Sequence, residues 1–271
     1  MKALRTAGWY AISIAVLIVF LFPVYWMFAV SLKTAAEIFK SPPAWYPSDP
    51  QLGNFIQLFK DGDAWTVWNS FVIAGTSTAI AMVLGTLAAY GIVRFRTGGE
   101  NLAVWILSQR LLPPIAIVFP LFMAYAWIGA ADTYPGLIAL YTAFALPYVI
   151  WMMRGYLLEV PRELEEAALV DGCSRLGVVW RVVVPVARNG LIATAIFAFI
   201  YSWNEFLFAL IMTRTNVMTY TVQISNYFGP QSTFWAKISA MSVLGTLPVF
   251  IAVAAMQRYV VRGISLGAVK G

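Results

Sequence analysis

The sequence predicts an all-α membrane protein that crosses the bilayer several times. Of its 271 residues, 61% are hydrophobic and only 11% are charged, and the mean hydropathy is +0.77. This balance lies well outside that of soluble domains. Apolar runs of about 20 residues, the length that crosses roughly 30 Å of hydrocarbon, recur along the chain. Basic residues are distributed unevenly between the segments that join these runs.

Six apolar runs are long enough to span the membrane. They cover residues 9–32, 69–93, 102–127, 135–153, 191–212 and 239–261. The first run follows a basic N-terminus, as in a secretory signal, but its apolar stretch from Trp9 to Val30 is longer than the roughly 7 to 15 residues of a signal core. We therefore expect a retained anchor and a single transmembrane domain over residues 1–271.

The positive-inside rule places both termini in the cytoplasm. With that orientation, 12 of the 18 Lys and Arg residues fall in cytoplasmic segments and five in external ones, while Arg110 lies inside a span. The basic pI near 9.5 then reflects topology, and no nucleic-acid partner is expected. The long cytoplasmic loop is predicted at 154–190, and the external loops at 33–66 and 213–238.

The polar segment between the fourth and fifth spans carries the strongest functional pattern. Pro161 suits the first turn of a helix and Gly172 can take the left-handed conformation that ends one, so a short helix is predicted over 161–172. A second helix is predicted from a cap at Ser174 to a stop at Pro185. The first helix also carries small residues that permit close approach, and acceptors for a partner's basic groups, at Glu163, Glu165, Glu166, Ala167, Ala168 and Asp171.

Residues 166–185 resemble the EAA signature of membrane permease subunits of ATP-binding-cassette importers. The signature runs as Glu166, Ala167, Ala168, three residues, Gly172, nine residues, Val182, one residue, Val184 and Pro185. The C-terminal run 257–263 and the tail 267–271 resemble the carbohydrate branch, specifically the maltose-type second permease. The resemblance covers nearly the whole chain. It implies the type I importer permease fold in a bacterial or archaeal cytoplasmic membrane.

The resemblance implies a sugar-translocating subunit and not an enzyme. The chain has no Gly-rich phosphate loop, and with one cysteine and no histidine it offers no expected metal or cofactor site. ATP and Mg are implied to bind two partner ATPase subunits. A second permease subunit, forming a heterodimer, and an extracytoplasmic solute-binding protein complete the implied assembly.

The same resemblance assigns roles to individual residues. Coupling to the ATPase is implied for Glu166, Ala167, Ala168, Asp171, Gly172 and Pro185. Contact with the interface of the ATPase pair is implied for the tail Gly267, Ala268, Val269, Lys270 and Gly271. In the external loop 213–238, Tyr227, Phe228 and Gln231 are candidates for contact with the binding protein, with ordinary loop packing as the alternative.

Polar residues inside two spans mark a further candidate region. A charge at membrane depth costs on the order of 3 kcal/mol or more unless it is paired or hydrated. Gln109 and Arg110 in the third span, and Asn204 and Glu205 in the fifth, are therefore predicted to line the translocation path or the subunit seam. Interhelical hydrogen bonding is the alternative.

An ATP-independent secondary transporter or channel is the alternative function. Six spans and buried charges are compatible with it. Such transporters are commonly built from internal repeats, however, and no convincing inverted duplication relates residues 1–133 to 134–271. Only the second half carries the polar helix 161–172, which favours the importer subunit.

Overall fold

A computed structural model describes residues 2–99, 101–228 and 233–267, and every regular element in this part of the chain is helical. The all-α prediction is confirmed. In chain order the elements are α1 (Lys2–Ser31), α2 (Ala35–Ile38), α3 (Gly53–Lys60), α4 (Trp65–Phe95), α5 (Leu102–Ser108), a 3₁₀ turn (Gln109–Leu111), α6 (Pro114–Trp127), α7 (Tyr134–Leu158), α8 (Arg162–Val170), α9 (Arg175–Val178), a π-helical turn (Val179–Val183), α10 (Val184–Val186), α11 (Arg188–Trp203), α12 (Leu207–Met212), α13 (Tyr220–Asn226) and α14 (Thr233–Gly267).

Four of the described helices are long and apolar enough to cross a membrane. They are Gly8–Ser31 within α1, Trp65–Phe95, Tyr134–Leu158, and Phe234–Ala255 within α14. Two further pairs qualify only when taken together, and each is sharply bent: Leu102–Leu111 with Pro114–Trp127 by 91°, and Arg175–Val186 with Arg188–Trp203 by 84°. By length and composition, the described residues therefore contain four candidate spans, or up to six if each bent pair is one span.

The predicted fifth span, 191–212, is not one helix, because α11 ends at Trp203 and α12 begins at Leu207. The side-chain amide of Asn204 donates back to the carbonyl of Ile200 at 2.8 Å. The N–H of Phe208, at the start of α12, donates to the carboxylate of Glu205 at 3.0 Å. These polar side chains satisfy the backbone groups at the break, which an apolar sequence could not do.

The predicted third span, 102–127, is broken as well. Leu112 adopts an extended conformation with ψ 123°, as expected of a residue that precedes proline. Pro113 is the N-cap of α6, and Pro114 occupies its first turn, where the missing N–H costs nothing. Two prolines in succession therefore separate α5 and its 3₁₀ turn from α6.

The chain divides into two compact units, Met1–Val67 with Val222–Pro248, and Trp68–Thr221 with Val249–Gly271. In the first unit, Lys33 follows the end of α1 and is only 2% exposed. Its ammonium donates to the carbonyl of Ala44 and lies 4.2 Å from the ring centroid of Trp26. Burial lowers the pKa of Lys33, and the neighbouring charge of Glu37 opposes that shift.

In the second unit, glycines permit close packing of the long helices. A Cβ at Gly190 of α11 would lie 2.2 Å from the ring of Tyr156 in α7. A Cβ at Gly85 of α4 would lie 2.6 Å from Cγ1 of Val149. Both distances are far below van der Waals contact, so α7 approaches each partner helix at a position that only glycine fits.

Candidate functional site

The polar segment after α7 folds into the short helix that its sequence predicts. α8 spans Arg162–Val170, with Pro161 as its extended N-cap. Gly172 adopts φ +86° and donates its N–H to the carbonyl of Leu169 at 3.1 Å. The N–H of Cys173 donates to the carbonyl of Ala168 at 3.0 Å. These two bonds are the Schellman closure of a helix, in which the left-handed position favours glycine.

The second predicted helix forms but continues beyond its predicted stop. Ser174 caps it, since its Oγ accepts from the N–H of Gly177 at 3.1 Å. The helix then widens into the π turn Val179–Val183 and runs through Pro185 to Val186. The helix therefore ends at Val186, one residue after the predicted stop at Pro185, and the next helix leaves at an angle of 84°. The wider turn makes room for a proline ring that would clash with the preceding turn of a regular α-helix.

One carboxylate of α8 is buried and bound within the chain. Glu165 is 6% exposed, and its Oε1 lies 2.5 Å from Nη2 of Arg94 and accepts from Nε at 2.6 Å. The hydroxyl of Tyr90 donates to Oε2 at 2.8 Å. The same guanidinium donates to the carbonyl of Val160, just before α8, at 2.7 Å. These bonds fasten α8 to the last two turns of α4.

This internal pair corrects one sequence-based expectation. Glu165 was expected to offer its carboxylate to a partner, but Arg94 and Tyr90 already occupy it. Removing one member of a buried pair costs about 3–5 kcal/mol, because the other charge stays buried without compensation. The sequence signals one side of this contact, since Tyr90 and Arg94 are four residues apart and so share one face of a helix, but it does not identify Glu165 as their partner.

The residues predicted to couple to an ATPase stay accessible around this anchor. Glu166 and Ala167 are exposed and Ala168 is half-buried. Asp171 and Gly172, in the turn that follows α8, are exposed as well. We call residues 166–168, 171 and 172 the coupling face. Pro185 in α10 is also exposed, outside this face.

A cleft of about 160 Å³ opens beside the buried pair. It is lined by Tyr90, Arg94, Phe95, Arg162, Glu165, Glu166, Leu169 and Arg175. Because Arg94 and Glu165 neutralise each other, the charges available to another molecule are two guanidiniums and one carboxylate. The guanidinium of Arg175 lies 5.1 Å from the ring centroid of Phe95. The cleft therefore offers charges of both signs beside apolar side chains, a composition suited to contact with another protein.

The polar residues predicted inside the spans lie at the two helix breaks. Gln109 and Arg110 belong to the 3₁₀ turn before α6, and both are exposed in this chain. The guanidinium carbon of Arg110 lies 4.4 Å from the ring centroid of Tyr201 and 5.9 Å from that of Tyr148. Within the described ranges, its side chain forms no salt bridge. The guanidinium of Arg110 therefore makes cation–π contacts with these two aromatic rings.

The second break uses its polar residues differently. The carboxylate of Glu205 accepts from the N–H of Phe208 in α12. The backbone carbonyl of Glu205 accepts from the hydroxyls of Tyr141 at 3.4 Å and Thr221 at 3.0 Å. These contacts favour the hydrogen-bonding alternative for Glu205. Asn204 is exposed, although its side-chain oxygen lies within 3.4 Å of the Tyr220 hydroxyl.

The residues predicted to contact a binding protein differ in exposure within the external loop. Tyr227 is 5% exposed, its hydroxyl donates to Oδ2 of Asp63, and Gln223 donates to Oδ1 of the same carboxylate at 2.8 Å. Burial first, and then the Asp63 contact, raises the pKa of Tyr227. These contacts favour the packing alternative for Tyr227, whereas Phe228 is 66% exposed. Gln231 lies outside the described residues.

The C-terminal tail also lies mostly outside the described residues. The backbone of α14 reaches Gly267, and Ala268, Val269, Lys270 and Gly271 follow beyond the described ranges. Contact of this tail with an ATPase pair therefore remains a prediction.

The long apolar helices and the polar helix α8 define a class, a multi-pass membrane component whose polar helix is held by a buried ion pair. Residues 81–266 match the family described as binding-protein-dependent transport system inner membrane component. This match covers more than half of the chain, which therefore belongs to that family.

Known relatives of similar length carry names from sugar transport. The trehalose transport system permease SugB of Mycobacterium tuberculosis is 36% identical over 278 residues, covering 100% of both chains. The sulfoquinovosyl glycerol transport system permease SmoH of Agrobacterium fabrum is 35% identical over 254 residues, covering 93% of this chain and 89% of that protein. The trehalose/maltose transport system permease MalG of Thermococcus litoralis is 32% identical over 265 residues, covering 96% and 95%.

A solved structure supports the fold independently. A chain of a bacterial ABC transporter involved in the import of the acidic polysaccharide alginate superposes with a TM-score of 0.76. The match covers 94% of this chain and 98% of that one at 21% sequence identity. The type I importer permease fold expected from the sequence is in keeping with this likeness.

Proposed function

We propose that the chain is one of two permease subunits of an ATP-driven importer that carries a sugar or sugar-like solute across the cytoplasmic membrane. The proposal rests on the anchored coupling helix. The buried Arg94–Glu165 pair holds α8 in place, while residues 166 and 167 beside it stay exposed. The sugar-transport names of full-length relatives support the class of solute.

The anchor supplies a direct mechanical link. A partner that moves α8 also moves the carboxylate of Glu165, and through its bonds to Tyr90 and Arg94 it moves the end of α4. Because α4 is a continuous helix of 31 residues, a displacement at one end reaches the other without a hinge. The chain then converts closure of an ATPase pair into movement of membrane helices.

The remaining parts of the proposal concern the assembly. A second permease completes a heterodimer, two ATPase subunits bind ATP and Mg and dock on the coupling face, and a binding protein delivers the solute outside. The tail after Gly267 reaches the ATPase pair, Pro185 belongs to the coupling loop, and Phe228 contacts the binding protein. An ATP-independent transporter would have no need of an exposed coupling face.

The proposal is tested on the coupling face by reversing one charge. Glu166→Lys should remove ATP hydrolysis by the purified complex. The carboxylate of Glu166 is proposed to accept from basic groups of the ATPase, and a lysine at this position would repel those groups. Glu159→Lys makes the same charge change on an exposed residue outside α8 and is the matched control. Equal ATPase activities of the two variants would count against docking at Glu166.

A further inference from the structure

Arg110 lies beside the middle of α7, a helix long and apolar enough to cross a membrane. Its guanidinium meets the ring of Tyr148, which lies about 15 Å along α7 from Leu158 and about 21 Å from Tyr134 at 1.5 Å per residue. α7 is long and apolar enough to cross a membrane, so a contact near its middle lies far from both of its ends.

A charge at this depth requires water or a counter-charge. The structure offers Arg110 two aromatic rings and, within the described ranges, no salt bridge. The charge of Arg110 acts on the carboxylate of Glu205, but that carboxylate is hydrogen-bonded to the start of α12. The guanidinium therefore keeps donors available for another molecule, in an orientation that the ring of Tyr201 helps to fix.

The surroundings of Arg110 are also unsuited to lipid. Gln109 and Asn204 are exposed polar residues at the two helix breaks, and Asn204 lies one turn beyond Tyr201 on the same face of its helix. Non-helical backbone at membrane depth is tolerated where it is buried in protein or lines a water-filled cavity. In secondary transporters, discontinuous helices commonly carry the solute site, and the same argument applies to non-helical backbone inside any transport path.

We propose that Gln109, Arg110, Tyr148, Tyr201 and Asn204 form a solute-contact surface within the translocation path. Its guanidinium selects solutes that present two acceptor oxygens side by side, as in a carboxylate, a sulfonate or a vicinal diol, and anionic sugars pass it most readily. This inference rests on the proposed transport function and adds to it the chemistry of the solute that this chain meets.

The test measures reactivity of an introduced thiol toward two reagents of opposite charge, anionic MTSES and cationic MTSET. Asn204→Cys is made in a Cys173→Ser background, which removes the native cysteine. The complex is labelled in open membrane fragments, with and without ATP and vanadate. Ser202→Cys, at a position that is 3% exposed on the same helix, is the matched control and should stay unreactive. Denaturation in detergent should make both thiols fully reactive.

The expected result is that Asn204→Cys reacts and that MTSES outpaces MTSET. Adding Arg110→Gln should lower the ratio of the two rates about tenfold, while Arg110→Lys, which keeps the charge, should preserve it. An unchanged ratio in Arg110→Gln would overturn selection by Arg110. A thiol at 204 that never reacts would overturn the path. Co-purification of an ATPase from the same membranes is scored separately, so failure of the coupling proposal is distinguishable from failure of this one.

Discussion

Arg94 and Glu165 stand 71 positions apart in the sequence, and Nη2 of the arginine lies 2.5 Å from Oε1 of the glutamate, with both side chains 8% exposed. This contact joins the end of a long membrane helix to the short helix that carries the coupling face. It gives α8 a fixed position before any partner binds.

Breaking this pair should loosen the coupling helix. We expect Glu165→Gln to lower the free energy of unfolding by about 3 kcal/mol, because Arg94 stays buried without a counter-charge. The measurement is thermal unfolding of the purified protein, together with the rate of proteolysis within residues 154–190. Glu159→Gln, at an exposed position, should change neither; equal shifts in both variants would mean that the pair contributes no stability.

The turn after α8 should depend on backbone conformation rather than on space. Gly172 has φ +86°, and a Cβ built there meets no atom within 4 Å. Gly172→Val should therefore cost about 1–2 kcal/mol through left-handed strain alone. Gly172→Asn, which tolerates this conformation, should cost less. Thermal stability should be lower in Gly172→Val than in Gly172→Asn, and the opposite order would contradict the assigned turn.

Gly172→Asp extends this test to the partner contact. We expect it to abolish ATP hydrolysis coupled to transport while leaving the membrane fold intact, because an added acidic side chain occupies the coupling face. The fold is checked by gel filtration of the purified variant. Sugar uptake that persists in this variant would contradict docking at the turn.

Close packing of α7 on α11 should be sensitive to a single methyl group. In Gly190→Ala, the new Cβ would lie 2.2 Å from the ring of Tyr156, so we expect destabilisation of about 1–3 kcal/mol. Adding Tyr156→Ala removes the clashing ring and should recover part of the loss. Thermal unfolding of the single and double variants checks this, and additive losses would show that the ring is not the cause.

Asp132 should make one loop sensitive to acid. Its carboxylate accepts the backbone N–H groups of residues 214–217 at 2.9 to 3.2 Å. Burial alone would raise its pKa, but these bonds outweigh burial and lower it. The stabilisation is therefore present above the ordinary pKa of about 4 and is lost as the pH falls through the lowered value.

Hydrogen exchange of amides 214–217 measures this effect. After correction for intrinsic rates, the amides should be protected at neutral pH and lose protection in strong acid. Asp132→Asn should reduce protection at neutral pH and remove its dependence on pH. Protection that does not respond to either change would show that Asp132 does not hold this segment.

Much of this architecture follows from the sequence because its causes are local. Apolar length predicts the long helices, and Pro161 and Gly172 delimit α8 through their own backbone preferences. The break at 204–206 was missed because composition reports apolar length, whereas Asn204 and Glu205 terminate the helices through specific hydrogen bonds. The helix end predicted at Pro185 falls one residue later, at Val186, after a π turn that accommodates the proline ring.

Side-chain pairs between distant parts of the chain could not be predicted from the sequence for a different reason. Which carboxylate of α8 turns inward depends on the approach of α4, and neighbouring Glu165 and Glu166 are equivalent until that approach is known. Tyr227 shows the same limit, because its hydroxyl is committed to Asp63 from a distant part of the chain. Local pattern predicted which segments matter, and packing decided which side chains remain free.

The most direct test of the coupling face is co-purification. The protein is tagged at its C-terminal side in its native host, with an N-terminally tagged control that leaves the tail accessible, and the chains that accompany it are identified by mass spectrometry. We predict a second permease and a cassette ATPase with the wild type, and selective loss of the ATPase with Glu166→Lys or Gly172→Asp. Recovery of this chain alone, under conditions that preserve known complexes, would contradict the coupling account and favour a self-sufficient transporter.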